Sequence, residues 1–367
     1  MQIIDITSYL ESIAPLSLQE TYDNAGLLTG LPNQICTGVI CTLDATEEVV
    51  LEAKQRGCNL IIAHHPIIFS GLKKLNGNNY IEKTIIAAIK NDIAIYAIHT
   101  NLDNILQGVN QTIAEKIGLE KCQILFPKQQ QLLKLFTFIP EASLETVRNA
   151  LFAAGAGFIG KYDQASFGAE GSGTFRGMEG ANPTIGAVGT RASVKEIKLE
   201  CLVPAFLKSQ VTRALIESHP YEEVAFDWVQ LQNDHPSVGS GLIGILPEPM
   251  DEKGVLQMLC TAFSVPVIRH TPLLGKPIQR VAVCGGAGSF LIGKALHSGA
   301  DLYITSDVKY HEFFDANQRM VIADIGHWES EQFTIDWLMT QLQSKFLTFA
   351  VLKSGIHTNP VRYFTGS

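Results

Sequence analysis

Charge is scarce in this chain of 367 residues: 17% of positions are charged against 46% hydrophobic. Basic residues are the scarcer sign, with 28 Lys and Arg against 36 Asp and Glu, a formal charge of −8. That balance argues against a general nucleic-acid or anionic-membrane binder, which needs a basic surface, so a nucleic-acid partner is not expected. The seven cysteines (Cys36, Cys41, Cys58, Cys122, Cys201, Cys260 and Cys284) include no C-x-x-C pair. An odd, unpatterned set reads as reduced, mostly buried intracellular thiols. No apolar run approaches the roughly 18 residues of a membrane helix. The opening Met1-Gln2-Ile3-Ile4-Asp5-Ile6 lacks the basic start and long apolar core of a signal peptide. A soluble, cytoplasmic protein without a membrane partner is expected. Few charges and much apolar residue also exclude extensive disorder.

What is present is an alternation of short β-rich runs and amphipathic segments. Residues 37–43, 60–63 and 94–98 read as strands, and 47–56 and 80–91 as helices. Ile105, Leu106, Val109, Ile113 and Ile117 follow at helical spacing up to Gly118. Such repetition implies a parallel or mostly parallel sheet covered by helices. The rhythm changes after Pro127: strand 134–139, helix 144–154, a glycine-rich stretch 155–189, strand 196–203, helix 206–218 and strand 224–230. That order suits a ferredoxin-like α+β unit of about 100 residues. The glycine-rich stretch reads either as a β-hairpin with a long loop or as a mobile loop. From Gly239 the α/β rhythm returns, with strands at 281–284, 302–305 and 320–325 and helices at 308–316 and 331–342. The expected organisation is one α/β core, residues 1–130 and 236–367, interrupted by an inserted domain at 131–235.

In open α/β sheets, functional groups sit just past the carboxyl ends of strands. Here Leu60-Ile61-Ile62-Ala63 runs into His64-His65-Pro66, and Ala94–Ile98 into His99-Thr100-Asn101-Leu102-Asp103. Met320–Ile325 runs into Gly326-His327, with Glu331 four residues on, at a spacing that puts both on one helix face. Each segment has a plainer reading: His64 and His65 as a polar strand end, Asp103 as a helix cap, Glu331 as a first-turn acid. Convergence on one sheet edge favours a metal site. Imidazole and carboxylate without thiolate suit zinc, iron, manganese or cobalt. Three imidazoles and two carboxylates exceed the needs of one open four-coordinate ion, so a pair of divalent ions sharing a carboxylate is expected.

Weaker signals lie at other strand ends. Asp44 reads as an acceptor orienting a ligand histidine or as a helix cap. Thr305-Ser306-Asp307 and His311 read as capping plus an exposed helix face, or as substrate and proton-relay groups. Gly285-Gly286-Ala287-Gly288-Ser289 joins a strand to a helix start, where an anion can bind, although it matches neither the dinucleotide nor the Walker pattern. Tyr22-Asp23-Asn24-Ala25-Gly26 reads as a plain loop. His219-Pro220-Tyr221-Glu222-Glu223 reads as a turn into an edge strand.

Asp23-Asn24-x-Gly26, Ala63-His64-His65-Pro66, His99-Thr100-x-x-Asp103 and Gly326-His327-x-x-x-Glu331 together resemble the GTP cyclohydrolase 1 type 2 homologue family, also called the Nif-three-like dinuclear-metal proteins. Residues 155–162, 171–175 and 219–223 resemble the PII/CutA-like insert of its longer bacterial members. The resemblance implies a two-lobed α/β core with two divalent metals in a cleft, assembled as a toroidal homohexamer. It implies one ion held by His64, Asp103 and Glu331, and the other by His65, His327 and a bridging Glu331. Thr305-Ser306-Asp307 departs from the family, where a glycine often stands in the middle.

The resulting expectation is a metal-dependent hydrolase acting on a nucleotide or similar small molecule, with His99, Asp307 or His311 as general acid or base. In its cyclohydrolase version the purine C8 is attacked and the Gly285–Ser289 loop seats a phosphate. The alternatives are a non-catalytic metal carrier or sensor with a regulatory insert, and a ring-shaped binding scaffold.

Overall fold

The computed structural model describes residues 1–364, which divide into two compact units: Met1–Pro127 with the chain from Ser237 onward, and Lys128–Pro236. The first contains two sheets. In the five-stranded sheet the order is Gly26–Thr29, Ala94–Ala97, Leu60–His65, Val39–Asp44, Val351–Lys353; only the first pair is antiparallel. The three middle strands are apolar and almost wholly buried, as strands covered on both faces must be. The helices Glu47–Gln55 and Tyr80–Lys90 start on Thr46 and Asn79, whose side chains accept from the amides of Val49 and Glu82.

The six-stranded sheet runs Arg269–His270, Val321–Asp324, Leu302–Ser306, Ile278–Ala287, Gly239–Met250, Glu120–Pro127. Its three adjoining strands Val321–Asp324, Leu302–Ser306 and Ile278–Ala287 are parallel and the other pairs antiparallel. The five-stranded sheet is thus mostly parallel, as the strand–helix alternation of the first part of the chain implies, and the six-stranded sheet is mixed. The helical spacing from Ile105 is broken. Ile105 bridges Val238, and the helix begins only at Val109. A side chain at Gly108 would lie 1.9 Å from the Leu102 carbonyl oxygen, so the chain turns sharply there before the helix begins.

The second unit is a four-stranded antiparallel sheet, ordered Ser166–Arg176, Arg191–Pro204, Leu132–Pro140, Phe226–Gln230. Helices Leu144–Ala153 and Lys208–Ser218 bury Val147, Leu151, Val211 and Leu215 with Leu135 and Leu199 of the sheet. The glycine-rich stretch takes the hairpin alternative. Its loop is tied down where Glu222 accepts from the Asn182 amide at 2.7 Å and Thr184 donates to the Pro220 carbonyl at 2.9 Å. All seven cysteines are free; five are buried and Cys122 and Cys260 partly so. Among the described residues, no helix is long and apolar enough to cross a membrane.

Candidate metal centre

His64 and His65 are the last residues of the buried strand Leu60–His65, and their rings lie 4.9 Å apart. His64 Nδ1 donates to the Ile98 carbonyl at 2.8 Å, and His65 Nδ1 to Asp44 Oδ1 at 2.7 Å. His327 opens the short helix His327–Glu331, and its Nδ1 donates to Asp307 Oδ2 at 2.6 Å. Each ring therefore has one nitrogen fixed by an acceptor and presents Nε2 to the centre, the arrangement by which outer partners set tautomer and aim in metal sites.

Those Nε2 atoms gather on Glu331, which is 3% exposed. Glu331 Oε2 lies 2.9 Å from His65 Nε2 and 3.2 Å from His327 Nε2. Glu331 Oε1 lies 3.7 Å from His64 Nε2, which is itself 3.7 Å from Asp103 Oδ1. The two oxygens of one carboxylate thus face two different donor sets. Buried His64 Nε2 and Asp103 Oδ1 have no hydrogen-bond partner, and the Nε2 atoms of His65 and His327 face each other at 3.3 Å. Orphaned buried polar atoms and opposed imidazole nitrogens are costly by themselves and suited to a cation between them. Two groups, His65 with His327 and Glu331, and His64 with His65 and His99, bring their ligand atoms within 4.8 Å of one another and could hold an ion.

Electrostatics follow this crowding. Burial pulls the His65 pKa down, but Asp44 and Glu331 outweigh it and raise it to about 9. His327 likewise rises to about 11 against burial, through Glu331 and Asp307. Glu331 is disfavoured as an anion by burial, yet the imidazoles, His327 foremost, hold it well below the ordinary carboxylate value. Burial raises Asp103.

The segment before the helix is shaped by glycine. Gly326 has φ +90°, and a Cβ there would meet Glu329 Oε2 at 2.3 Å and the Tyr363 hydroxyl at 2.9 Å. Gly286 has φ +62°, and its Cβ would lie 2.3 Å from Glu331 Oε1. Close approach to Glu331 thus explains Gly286, and close approach to Thr305 and Tyr303 explains Gly288, where a Cβ would lie 2.4 and 2.6 Å from their hydroxyl oxygens.

The sequence-derived candidates separate here. His64, His65, Asp103, His327 and Glu331 are brought together, and His99 stands beside them, its ring 5.3 Å from that of His64. Asp307 reaches the centre as the partner of His327 rather than as a free acid or base. His311 does not reach it: the residue is exposed, packs on Tyr310 and Phe314, and does not line the cleft. Asp23, read from sequence as part of a plain loop, holds His99 instead. Its Oδ1 accepts from His99 Nδ1 at 2.8 Å, and its Oδ2 from the Thr100 amide at 3.0 Å and from the Thr100 hydroxyl. Burial opposes its charge, but the bonds from His99, Thr100 and the Asn24 amide lower its pKa to about 2. Thr358 and Asn359 are also new to the site, and no local sequence pattern marks them. The cleft over the centre is about 920 Å³, within the range of small-molecule sites.

The sequence matches the family model of Duf34/NIF3 (NGG1p interacting factor 3) over residues 1–360. A GTP cyclohydrolase 1 type 2 homolog from Halalkalibacterium halodurans is 39% identical, with 98% of each chain covered. One from Staphylococcus epidermidis is 34% identical over 99% of this chain and all of its own. The crystal structure of a Bacillus cereus protein related to NIF3 superposes with a TM-score of 0.87 at 38% identity, covering 99% of both chains.

Proposed function

The chain belongs to the Duf34/NIF3 (NGG1p interacting factor 3) family, and from that premise we propose that it binds two divalent metal ions and hydrolyses a nucleotide or similar small molecule. One ion would be held by His64, Asp103 and Glu331 and the other by His65, His327 and Glu331. The observation that carries this reading is the division of Glu331, with Oε1 facing one donor set and Oε2 the other. A bound divalent ion supplies Lewis acidity and lowers the pKa of water toward neutrality.

The remaining work falls to the chain's own groups. Asp44, Asp307 and the Ile98 carbonyl hold the three imidazoles with Nε2 inward. Asp23 occupies His99 Nδ1, so Nε2 is the atom at which His99 takes or gives a proton, oriented as a base by its carboxylate. His311 has no part. The curated relatives' name, GTP cyclohydrolase 1 type 2 homolog, supports a nucleotide-sized substrate. The βαββαβ order of residues 132–230 and its strand order support a ferredoxin-like insert. Family membership supports a homohexameric ring, checked by light scattering.

The test is a hydrolysis screen of protein reconstituted with zinc, iron(II), manganese or cobalt, with His99→Asn alongside. Turnover by the wild type, and its loss in His99→Asn at unchanged metal content, is expected. Stoichiometric metal without turnover for any ion would leave a metal carrier.

A further inference from the structure

Resting on the metal-dependent hydrolase part of that reading, and narrowing its substrate from nucleotides to unphosphorylated ring compounds, we infer that the cleft admits a flat ring compound that is neutral or cationic, and disfavours one carrying a phosphate chain. Three independent features point this way.

The first is the segment 285–289, which by its position should cradle phosphate. Its three glycine amides are already spent. Gly285 N donates to Asn110 Oδ1 at 2.9 Å, Gly286 N to Ser330 Oγ at 3.0 Å and Gly288 N to Thr305 Oγ1 at 3.0 Å. An anion site needs amides pointing at the ligand, and these point into the protein.

The second is charge. Seven carboxylates and one guanidinium line the cleft, and no lysine does so among the described residues. Arg269, the one guanidinium, is engaged: it pairs with Asp324 Oδ2 at 3.0 Å and donates to the Val308 carbonyl at 2.7 Å. Two divalent ions together with Arg269 would balance five of the seven carboxylates, so the cleft stays acidic when loaded. Such a field repels polyanions and attracts cations.

The third is the rim. Tyr22, Phe69, Tyr80 and Phe290 line the cleft, yet each is more than half exposed. Phe69 also stands perpendicular to His99, the rings 5.8 Å apart. Unpacked aromatic faces beside the reacting groups offer stacking surfaces for a planar ring. Stacking tolerates many rings, whereas the charge pattern sorts them, so the class is set by flatness and sign.

The experiment is calorimetric titration of metal-loaded full-length protein at 0.15 M salt, with metal content measured on every sample. The probes carry one ring in three charge states: guanosine (neutral), 7-methylguanosine (cationic), and guanosine mono- and triphosphate (anionic). Both nucleosides are expected to bind about tenfold or more tighter than either nucleotide. Tyr22→Ala and Phe69→Ala should each weaken nucleoside binding by about tenfold at unchanged metal content. Equal or tighter nucleotide binding overturns the inference, as does failure of every probe to bind while both metals are present. Absence of metal from the protein would instead overturn the dinuclear reading on which the inference rests. Binding without hydrolysis would contradict the hydrolase reading alone.

Discussion

Thr358 donates its hydroxyl to Asp44 Oδ2 at 2.6 Å, and the other oxygen of that carboxylate holds His65 Nδ1. The next residue, Asn359, donates to Glu329 Oε1 at 2.9 Å, on the helix that carries His327 and Glu331. Adjacent residues near the end of the chain thus touch both sides of the donor cluster, one through the five-stranded sheet and one through the helix His327–Glu331. Trp328 reinforces the contact, its ring stacked on His357 at 4.5 Å.

Removing the Thr358 hydroxyl should loosen Asp44 and with it the aim of His65. Thr358→Val is expected to lose metal to a chelator about tenfold faster than wild type, the scale on which outer hydrogen-bond partners act. Thr358→Ser, which keeps the hydroxyl, should behave as wild type. Equal rates for Val, Ser and Thr would remove the link.

Asp23 gives a pH prediction. Its folded pKa of about 2 lies below the ordinary 3.8, so its contribution to stability is present above about 3.8 and is lost as pH falls through about 2. Denaturant unfolding of Asp23→Asn should therefore show a lower stability near neutrality and a shallower decline between about pH 4 and pH 2. A decline as steep as that of wild type would contradict the charge role assigned to Asp23.

Gly286→Ala places a methyl 2.3 Å from Glu331 Oε1 at a left-handed φ. It should cost about 1–3 kcal/mol of stability and lower metal affinity. Gly293, inside the helix Ile292–His297 with open space around its Cβ position, is the control. Gly293→Ala should be neutral or stabilising by up to about 1 kcal/mol and leave metal binding alone. The pair is read by chemical denaturation and metal titration.

The alternation of apolar strands and amphipathic helices was legible because burial on both faces of a sheet leaves a continuous apolar run, as at residues 60–63. The histidines and carboxylates stood out because they follow such runs directly. Two kinds of information were not legible. The antiparallel strands Gly239–Met250 and Glu120–Pro127 flank the parallel ones through long-range pairing that no local pattern records. The orienting groups Asp23 and Thr358 sit in loops 76 and 314 residues from the groups they hold, His99 and Asp44, and in a loop an Asp or Thr looks like any turn residue. His311 shows the converse error: proximity in sequence to Asp307 suggested a shared site, but the 3₁₀ turn Tyr310–Ala316 leaves it exposed and off the cleft lining.

The most direct measurement is elemental analysis of protein purified without added chelator, comparing wild type with Glu331→Ala. Because both donor sets share Glu331, the wild type should carry about two divalent ions per chain and the variant nearly none, with its helical circular dichroism retained. Full metal content in Glu331→Ala, or a wild type that takes up no divalent ion when one is supplied, would contradict the dinuclear centre.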